Sequence, residues 1–499
     1  MPAGHGRPVE PAVPLDAARV VVAGLGVSGR AVVAALAGRV RELVTVDARA
    51  DDADVRGAAA EDRAGLDDLV AGADLVVASP GWAPSTPLLA AATAAGVPVW
   101  SEVELAWRLR VDRRGPDGAA RGPAPWLAVT GTNGKTTTVE MLASILAAAG
   151  LRTAAVGNVG TPLLTAAVDP DLDVLAVELS SFQLHFTHTM SVEAGAVLNV
   201  APDHLDWHGS LEAYAADKGR IYARAQVACV YTVADPRTED LVREADVVEG
   251  ARAVGVTLGT PGPGQLGLVE DVLVDRAFHA PADAADRRTY AAELGTLADL
   301  AHLAPAATGD GPAVPPPHVV SDALAAAALA RAHGVPAAAV RDGLRSFRPG
   351  AHRIERVRVL GGVAYVDDSK ATNPHAAAAS LATYEPGTVV WVAGGLAKGA
   401  RLDDLVERRA DRLRAAVVIG VDPAPWTEAL ARHAPEIPVV RVDPGDTGSV
   451  MRRAVAAARD LARPGDTVLL APAGASMDQF RSYAERGAAF AAAVQELDE

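Results

Sequence analysis

The sequence predicts an α/β protein of three domains, built on parallel sheets covered by helices. Three observations carry this reading. Short apolar runs of strand length, such as VVVAG, TVVWVAGG and DTVLLAPAG, alternate with Ala- and Leu-rich stretches at helical spacing from end to end. Two strand-to-helix junctions are rich in glycine, as expected where a doubly wound sheet presents helix N-termini to a ligand. The length, 499 residues with 50% hydrophobic, exceeds what one core uses.

Composition excludes several classes of function. A formal net charge of -16 argues against a general nucleic-acid or anionic-membrane partner, which needs a positive field. Cys229 is the only cysteine, so no intrachain disulfide, thiolate metal cluster or CxxC pair forms. The N-terminus lacks a basic segment followed by a long apolar core, so no signal peptide is expected. No apolar stretch reaches the roughly 20 residues of a membrane-spanning helix, and the expectation is a soluble, cytoplasmic monomer.

Domain boundaries follow breaks in this pattern. RRGPDGAARGPAP, Arg113 to Pro125, reads as a linker, because Gly, Pro and charge leave it no face to bury. Leu258 to Pro317 mixes Pro, Gly, Ala and Asp with short apolar runs and reads as strands plus an insertion. SFRPGAHR, around Pro349 and Gly350, separates a helical stretch from the strand-like VAYVDDS. The predicted domains are 1-118, Rossmann-like; 119-349, a phosphate-loop ATPase-like parallel sheet with an insertion near 258-317; and 350-499, again Rossmann-like.

The first chemical signal is VVVAGLGVSGRAVVAAL, a β-branched strand followed by Gly24, Gly26 and Gly29 and then a helix. Glycines permit a tight turn and close approach to a phosphate, and the helix N-terminus offers free amides. Asp47 ends the next strand, where a carboxylate suits a ribose hydroxyl. Three readings stand: a dinucleotide cofactor, a packing turn, or a nucleotide-sugar diphosphate held by the same physics.

The second signal is more specific. The strand WLAVT runs into Gly131, Thr132, Asn133, Gly134, Lys135 and Thr136, then into a helix beginning with Thr137. Such a loop surrounds β- and γ-phosphates with amides and a lysine, and sets a hydroxyl on Mg²⁺. Val129 stands where the general phosphate loop has its first glycine.

GTNGKT resembles the shortened phosphate loop of the Mur ligases and of folylpolyglutamate synthetase. Downstream, GNVGTP with Asn158, VLAVELSSFQL with Glu178, VLNVAPDHLDWHGS with His204 and YAADKGRIY with Lys218 are similar in order and wording to the family's central domain. HRIE with His352 and Arg353, VDDSKATN with Asp368, Lys370 and Thr372, GGLAKG with Lys398, and APAGASMDQFRSYAERGAAF with Ser476 and Tyr483 resemble its D-glutamate-adding branch.

This resemblance implies an ATP-dependent ligation of D-glutamate to UDP-N-acetylmuramoyl-L-alanine. Joining a carboxylate to an amine in water needs phosphoryl activation, and crowded anions need cations. Glu178 would share one Mg²⁺ with Thr136, His204 would hold a second, and Lys135 would meet the phosphates. Taken alone, YAADKGRIY reads as an exposed amphipathic helix; the resemblance implies instead that Lys218 carries a CO₂-derived carbamate that ligates metal. It also places Asp368 on the ribose, Arg353 near the phosphates, and Lys370, Thr372, Lys398, Ser476 and Tyr483 on the two carboxylates of D-glutamate. The UDP moiety falls to Gly26, Val27, Ser28, Asp47, Arg49, the Ser79-Pro80-Gly81 turn and Asn158.

The chain departs from the family in places. PHVVSDALAAA offers Val319 and Asp322 where relatives have a His-Asn-x-x-Asn helix start, with Ser321 expected to cap that helix. Ala471 replaces a serine and Tyr483 a phenylalanine. Rival readings are a sister ligase adding another amino acid, an NAD-dependent dehydrogenase that would leave GTNGKT unused, and a catalytically silent homologue.

Overall fold

The computed structural model describes residues 10–47, 63–115, 117–158, 160–279, 289–304 and 314–498. Two compact units divide the chain: Met1–Val200, Glu212–Gly295 and Ser321–Phe347 form one, and Ala201–Leu211, Thr296–Val320 and Arg348–Glu499 the other.

The first unit opens with a parallel sheet of β1 (Arg19–Ala23), β2 (Glu42–Val46), β3 (Leu75–Ala78) and β4 (Val99–Ser101), in the order β2-β1-β3-β4. Val20, Val21 and Val22 are fully buried, as a strand covered on both faces requires. β5 (Asp112–Arg114) and β6 (Ala120–Pro123) pair as an antiparallel hairpin. The expected linker is thus partly ordered: with no apolar face to bury, it still satisfies its backbone by pairing with itself.

A nine-stranded sheet follows, built from β7 (Trp126–Thr130), β8 (Thr153–Gly157), β9 (Val174–Glu178), β10 (Ala194–Val197), β11 (Ala228–Thr232), β12 (Arg252–Val256), β13 (Gln265–Val269), β14 (Val272–Asp275) and β15 (Ala292–Thr296). Its order is β15-β14-β13-β12-β11-β10-β7-β9-β8, with β7 near the centre and buried along its whole length. The Leu258 to Pro317 segment therefore extends the sheet by three strands, β13 pairing antiparallel with β14. Residues 280–288 and 305–313 of that segment lie outside the described residues.

The glycine-loop sheet is locked to the nine-stranded one through Glu104. This carboxylate is fully buried on the helix Glu102–Leu109, which Ser101 caps. It accepts from the backbone amides of His188 and Thr189 at 2.8 and 2.9 Å, from the Thr189 hydroxyl at 2.6 Å and from Arg108 Nε at 2.7 Å. Burial alone raises a carboxyl, yet these donors outweigh it and hold Glu104 below its ordinary range.

In the second unit β16 (Glu355–Leu360), β17 (Val363–Asp367), β18 (Val389–Gly394), β19 (Leu413–Ile419), β20 (Val439–Arg441) and β21 (Thr467–Leu470) run in the order β16-β17-β21-β18-β19-β20. Only β16 is antiparallel to its neighbour. One face packs on Trp391 and Trp426, the other on Met451, Phe480 and Phe490. Three adjacent strands, β17, β21 and β18, thus deliver their following loops side by side at the carboxyl edge, where open α/β sheets bind ligands. The helix expected to start at Ser321 begins at Pro317. Proline lacks the amide that a first turn leaves unused, so it opens the helix without a cap at Ser321.

Candidate active site

β7 ends at Thr130, and the loop Gly131 to Gly134 delivers the chain into the helix Lys135–Ala148. Gly134 has φ 82°, and a Cβ there would lie 2.4 Å from Asp322 Oδ1, so this turn accepts only glycine. Asn199 clamps the loop: its Oδ1 accepts from the Asn133 amide at 2.9 Å, its Nδ2 donates to the Asn133 carbonyl at 3.2 Å, and its own carbonyl accepts from the Thr132 amide at 3.0 Å. Lys135 Nζ lies over the loop, donating to the carbonyls of Gly131 and Thr132 at 2.9 Å each. Thr136 is buried in the first helical turn and Thr137 half-buried beside it.

Glu178 ends β9 opposite Val129 of β7, so its carboxylate sits beside the loop. Oε1 accepts from Asn158 Nδ2 at 2.8 Å, whereas Oε2 is buried without a hydrogen-bond partner. A buried carboxylate oxygen left without a donor costs on the order of 1–3 kcal/mol or more. On a strand that ends beside the phosphate-loop strand, an orphan carboxylate oxygen of this kind suits a hard divalent cation, and with the Thr136 hydroxyl the donor types fit Mg²⁺.

Lys218 is 1% exposed, which overturns the exposed-helix reading of YAADKGRIY. Asp217 holds His185 Nδ1 at 2.8 Å, and Arg220 donates to the carbonyls of Leu184, His185 and Thr187, drawing this turn inward. Lys218 Nζ donates to the Gly131 carbonyl at 2.9 Å, the same oxygen that Lys135 uses, and lies 4.3 Å from the Tyr214 ring centroid.

The glycine loop of the N-terminal sheet is tightly built. A Cβ on Gly29 would lie 1.7 Å from the Gly24 carbonyl, so the helix Val27–Leu36 approaches the loop as no other residue allows. Gly26 is its N-cap; Ser79 Oγ donates to the Gly24 carbonyl at 3.0 Å, and Pro80 and Gly81 turn beyond it. Asp47 Oδ2 accepts from the Leu25 amide at 2.6 Å, so one oxygen braces the loop. Arg49 lies outside the described residues. Val27, Ser28, Pro80 and Asn158 line one cavity of about 260 Å³ in this unit.

In the second unit His204 has φ 53° at the start of the short helix Leu205–His208, its amide donating to Asp203 Oδ1 at 2.9 Å. Asp368 follows β17. Burial pushes its carboxyl up to about 7, and the Arg353 cation opposes that rise. His352 Nδ1 meets Asp367 Oδ2 at 2.6 Å, fixing the segment that carries Arg353. Lys370 Nζ stands 3.9 Å from the Tyr483 ring centroid, which gives the replaced phenylalanine position a cation to hold. Thr372 donates its amide to the Lys370 carbonyl at 2.8 Å. Lys398, exposed with φ 49°, follows Leu396, whose backbone pairs with Ala475 beside the buried Ser476.

Sequence reasoning missed Arg486. Only 1% exposed, it donates from Nε to Ser369 Oγ, from Nη2 to the Ser369 carbonyl and from Nη1 to the Gly474 carbonyl, each at 3.0 Å. One guanidinium therefore ties the SKATN loop to the PAGAS loop, and burial lowers its pKa to about 10. Asn199 was missed likewise, and so was Glu102.

Comparison with known proteins places this architecture. The Mur ligase MurD-like N-terminal domain matches residues 18–101, the Mur ligase middle domain 129–257, and the Mur ligase glutamate ligase domain 352–474. UDP-N-acetylmuramoylalanine--D-glutamate ligase of Streptomyces coelicolor is 60% identical, over 96% of this chain and 98% of its own. The protein of the same name from Thermobifida fusca is 52% identical over the same shares. Among solved structures, UDP-N-acetylmuramate-alanine ligase MurC from Thermotoga maritima shares the fold with a TM-score of 0.54 at 18% identity, covering 96% of this chain and 99% of its own. The chain belongs to the Mur ligase family.

Proposed function

We propose that the protein uses ATP to join D-glutamate to UDP-N-acetylmuramoyl-L-alanine, a step of peptidoglycan precursor synthesis and so of cell-wall growth and division in the cytoplasm. It acts as a monomer of three domains with boundaries near 118 and 349. The observation that carries the phosphoryl chemistry is the buried, unpartnered Glu178 Oε2 beside GTNGKT. The choice of amine is supported by the printed names of the relatives.

A terminal L-alanyl carboxylate oxygen attacks the γ-phosphorus of ATP, the bond to the β–γ bridging oxygen breaks, and ADP leaves an acyl phosphate. The amine of D-glutamate then attacks the acyl carbon, loses its proton, and phosphate departs as the amide forms. Lys135, its ammonium already poised over the loop, stabilises charge on the transferring group, and the loop amides hold the phosphates. Thr136 and Glu178 are the residues for Mg²⁺, with His204 for a second ion; when bound, these ions neutralise the phosphate oxygens. Arg353 and Asp368 are assigned to phosphate and ribose, and Lys370, Thr372, Lys398, Ser476 and Tyr483 to the two carboxylates of D-glutamate.

Lys218 is proposed to be carbamylated. Two ammoniums that donate to one carbonyl oxygen at 2.9 Å each are no farther apart than twice that distance, and repel by at least about 3 kcal/mol at an effective dielectric near 20. A carbamate converts that repulsion into attraction and adds an oxygen ligand for metal. The reaction is tested by mass balance: ADP should form one for one with a product weighing the nucleotide-sugar plus glutamate less one water. ADP formed without that product would overturn the proposal.

A further inference from the structure

Glu102 is a buried carboxylate that the proposed mechanism leaves unused. It opens the helix Glu102–Leu109, is 4% exposed, and lines the cavity together with Val27, Ser28, Asn158, Leu163 and Gln183. Its Oε1 accepts from Gln183 Nε2 at 2.8 Å. Gln183 is itself held, its Oε1 accepting from the Ser180 amide at 2.7 Å and its amide donating to Ser180 Oγ at 3.2 Å. Glu102 Oε2 is buried without a hydrogen-bond partner. The carboxylate is thus pinned through Oε1, while Oε2 makes no hydrogen bond within the structure; the Ser28 side chain is the cavity-lining donor that favours its charged form. Burial raises its pKa despite Gln183, its own amide and Ser28, which marks a carboxylate short of donors.

Two loops contribute to the cavity lining. Val27 and Ser28 belong to the glycine loop, the proposed diphosphate site. Gly157 and Asn158 follow β8, and Asn158 holds Glu178 at the proposed reaction centre. What lies between a nucleotide diphosphate and the reacting carboxylate of this substrate is its muramoyl sugar. A carboxylate repels the diphosphate, so the group that meets Oε2 is an uncharged donor.

We infer that Glu102 is a substrate-binding residue whose Oε2 accepts a hydrogen bond from an N–H or O–H group of the muramoyl moiety. This rests on the proposed substrate. Glu102→Gln tests it cleanly, because Gln183 Nε2 requires an acceptor and so turns the new amide's oxygen toward itself. An NH₂ donor then faces the ligand's donor. Binding of UDP-N-acetylmuramoyl-L-alanine and of UDP alone is measured by calorimetry on the full chain, with KM for all three substrates. The expected result is about tenfold or more weaker binding of the nucleotide-sugar, as for one lost hydrogen bond to a charged group. UDP affinity, the KM values for ATP and D-glutamate, and the melting temperature should stay at wild-type values. Unchanged nucleotide-sugar binding, or an equal loss for UDP, would overturn the inference. If Glu102→Gln fails to fold, Glu102→Asp, shorter by one methylene, is read by the same criteria. A wild-type protein that binds the nucleotide-sugar but does not ligate it would overturn the proposed reaction and leave this assignment standing; one that does not bind it overturns both.

Discussion

At the scale of single residues, two of the proposed site residues, Glu178 and Lys218, give direct tests. Glu178→Gln keeps the hydrogen bond from Asn158 available but removes the charge on Oε2 that a cation needs. We expect kcat to fall by about 10² or more, with activity shifted to higher Mg²⁺ concentration. A Mg²⁺ dependence identical to wild type would remove Glu178 from the metal site. Lys218→Ala should lose activity to a similar degree while binding UDP normally, and a fully active variant would exclude the carbamate. That Glu178 ends a buried strand was legible in the sequence, because VLAVE is an apolar run closed by a carboxylate; its assignment to the phosphate-loop site came from the family resemblance. The burial of Lys218 was not, because helical periodicity says which face a residue is on and nothing about what covers that face. Here Asp217 and Arg220 draw the turn onto the segment 184–187.

Among elements, the loops are braced by residues far away in sequence. Arg486 reaches Ser369 across 117 positions, Gln183 reaches Glu102 across 81, and Asn133 reaches Asn199 across 66. None of these bonds has a local pattern, which is why all three braces escaped reading, whereas GTNGKT and the glycine loop, each contiguous, did not. Ser321 failed as a cap because Pro317 had already started the helix. Arg486→Lys replaces a planar fork by a point charge that cannot span Ser369 and Gly474 together. It should destabilise the protein by about 2–4 kcal/mol and raise KM for D-glutamate more than KM for ATP. Equal effects on both would deny the loops a role in amine binding. Glu104→Ala strands the amides of His188 and Thr189, and should destabilise by about 3 kcal/mol in denaturant unfolding.

For the whole molecule, the α/β class and the glycine-punctuated sheets followed from the sequence, since parallel sheets write themselves as apolar runs alternating with helices. The hairpin at Asp112–Arg114 and Ala120–Pro123 did not, because short paired strands rich in Gly and charge lack that signature, whereas the strands expected from the Leu258 to Pro317 segment are present as β13, β14 and β15. Stability should also carry the mark of Asp368, whose carboxyl is moved from 3.8 to about 7 by burial. A carboxyl raised on folding stabilises fully below its unfolded value, and that contribution is lost as pH rises from about 4 through about 7. Asp368→Asn removes this loss: relative to wild type it should gain stability between pH 5 and pH 8, by at most about 3 kcal/mol. A constant difference across that range would show that Asp368 titrates normally. Among the described residues no helix is long and apolar enough to cross a membrane.

The most direct test of the ligase account is phosphate release from ATP with Mg²⁺ and UDP-N-acetylmuramoyl-L-alanine, comparing D-glutamate with L-glutamate, other amino acids and no amine. The account predicts sustained release only when the nucleotide-sugar and D-glutamate are both present; sustained release with a different amine, or none under any pairing, would contradict it.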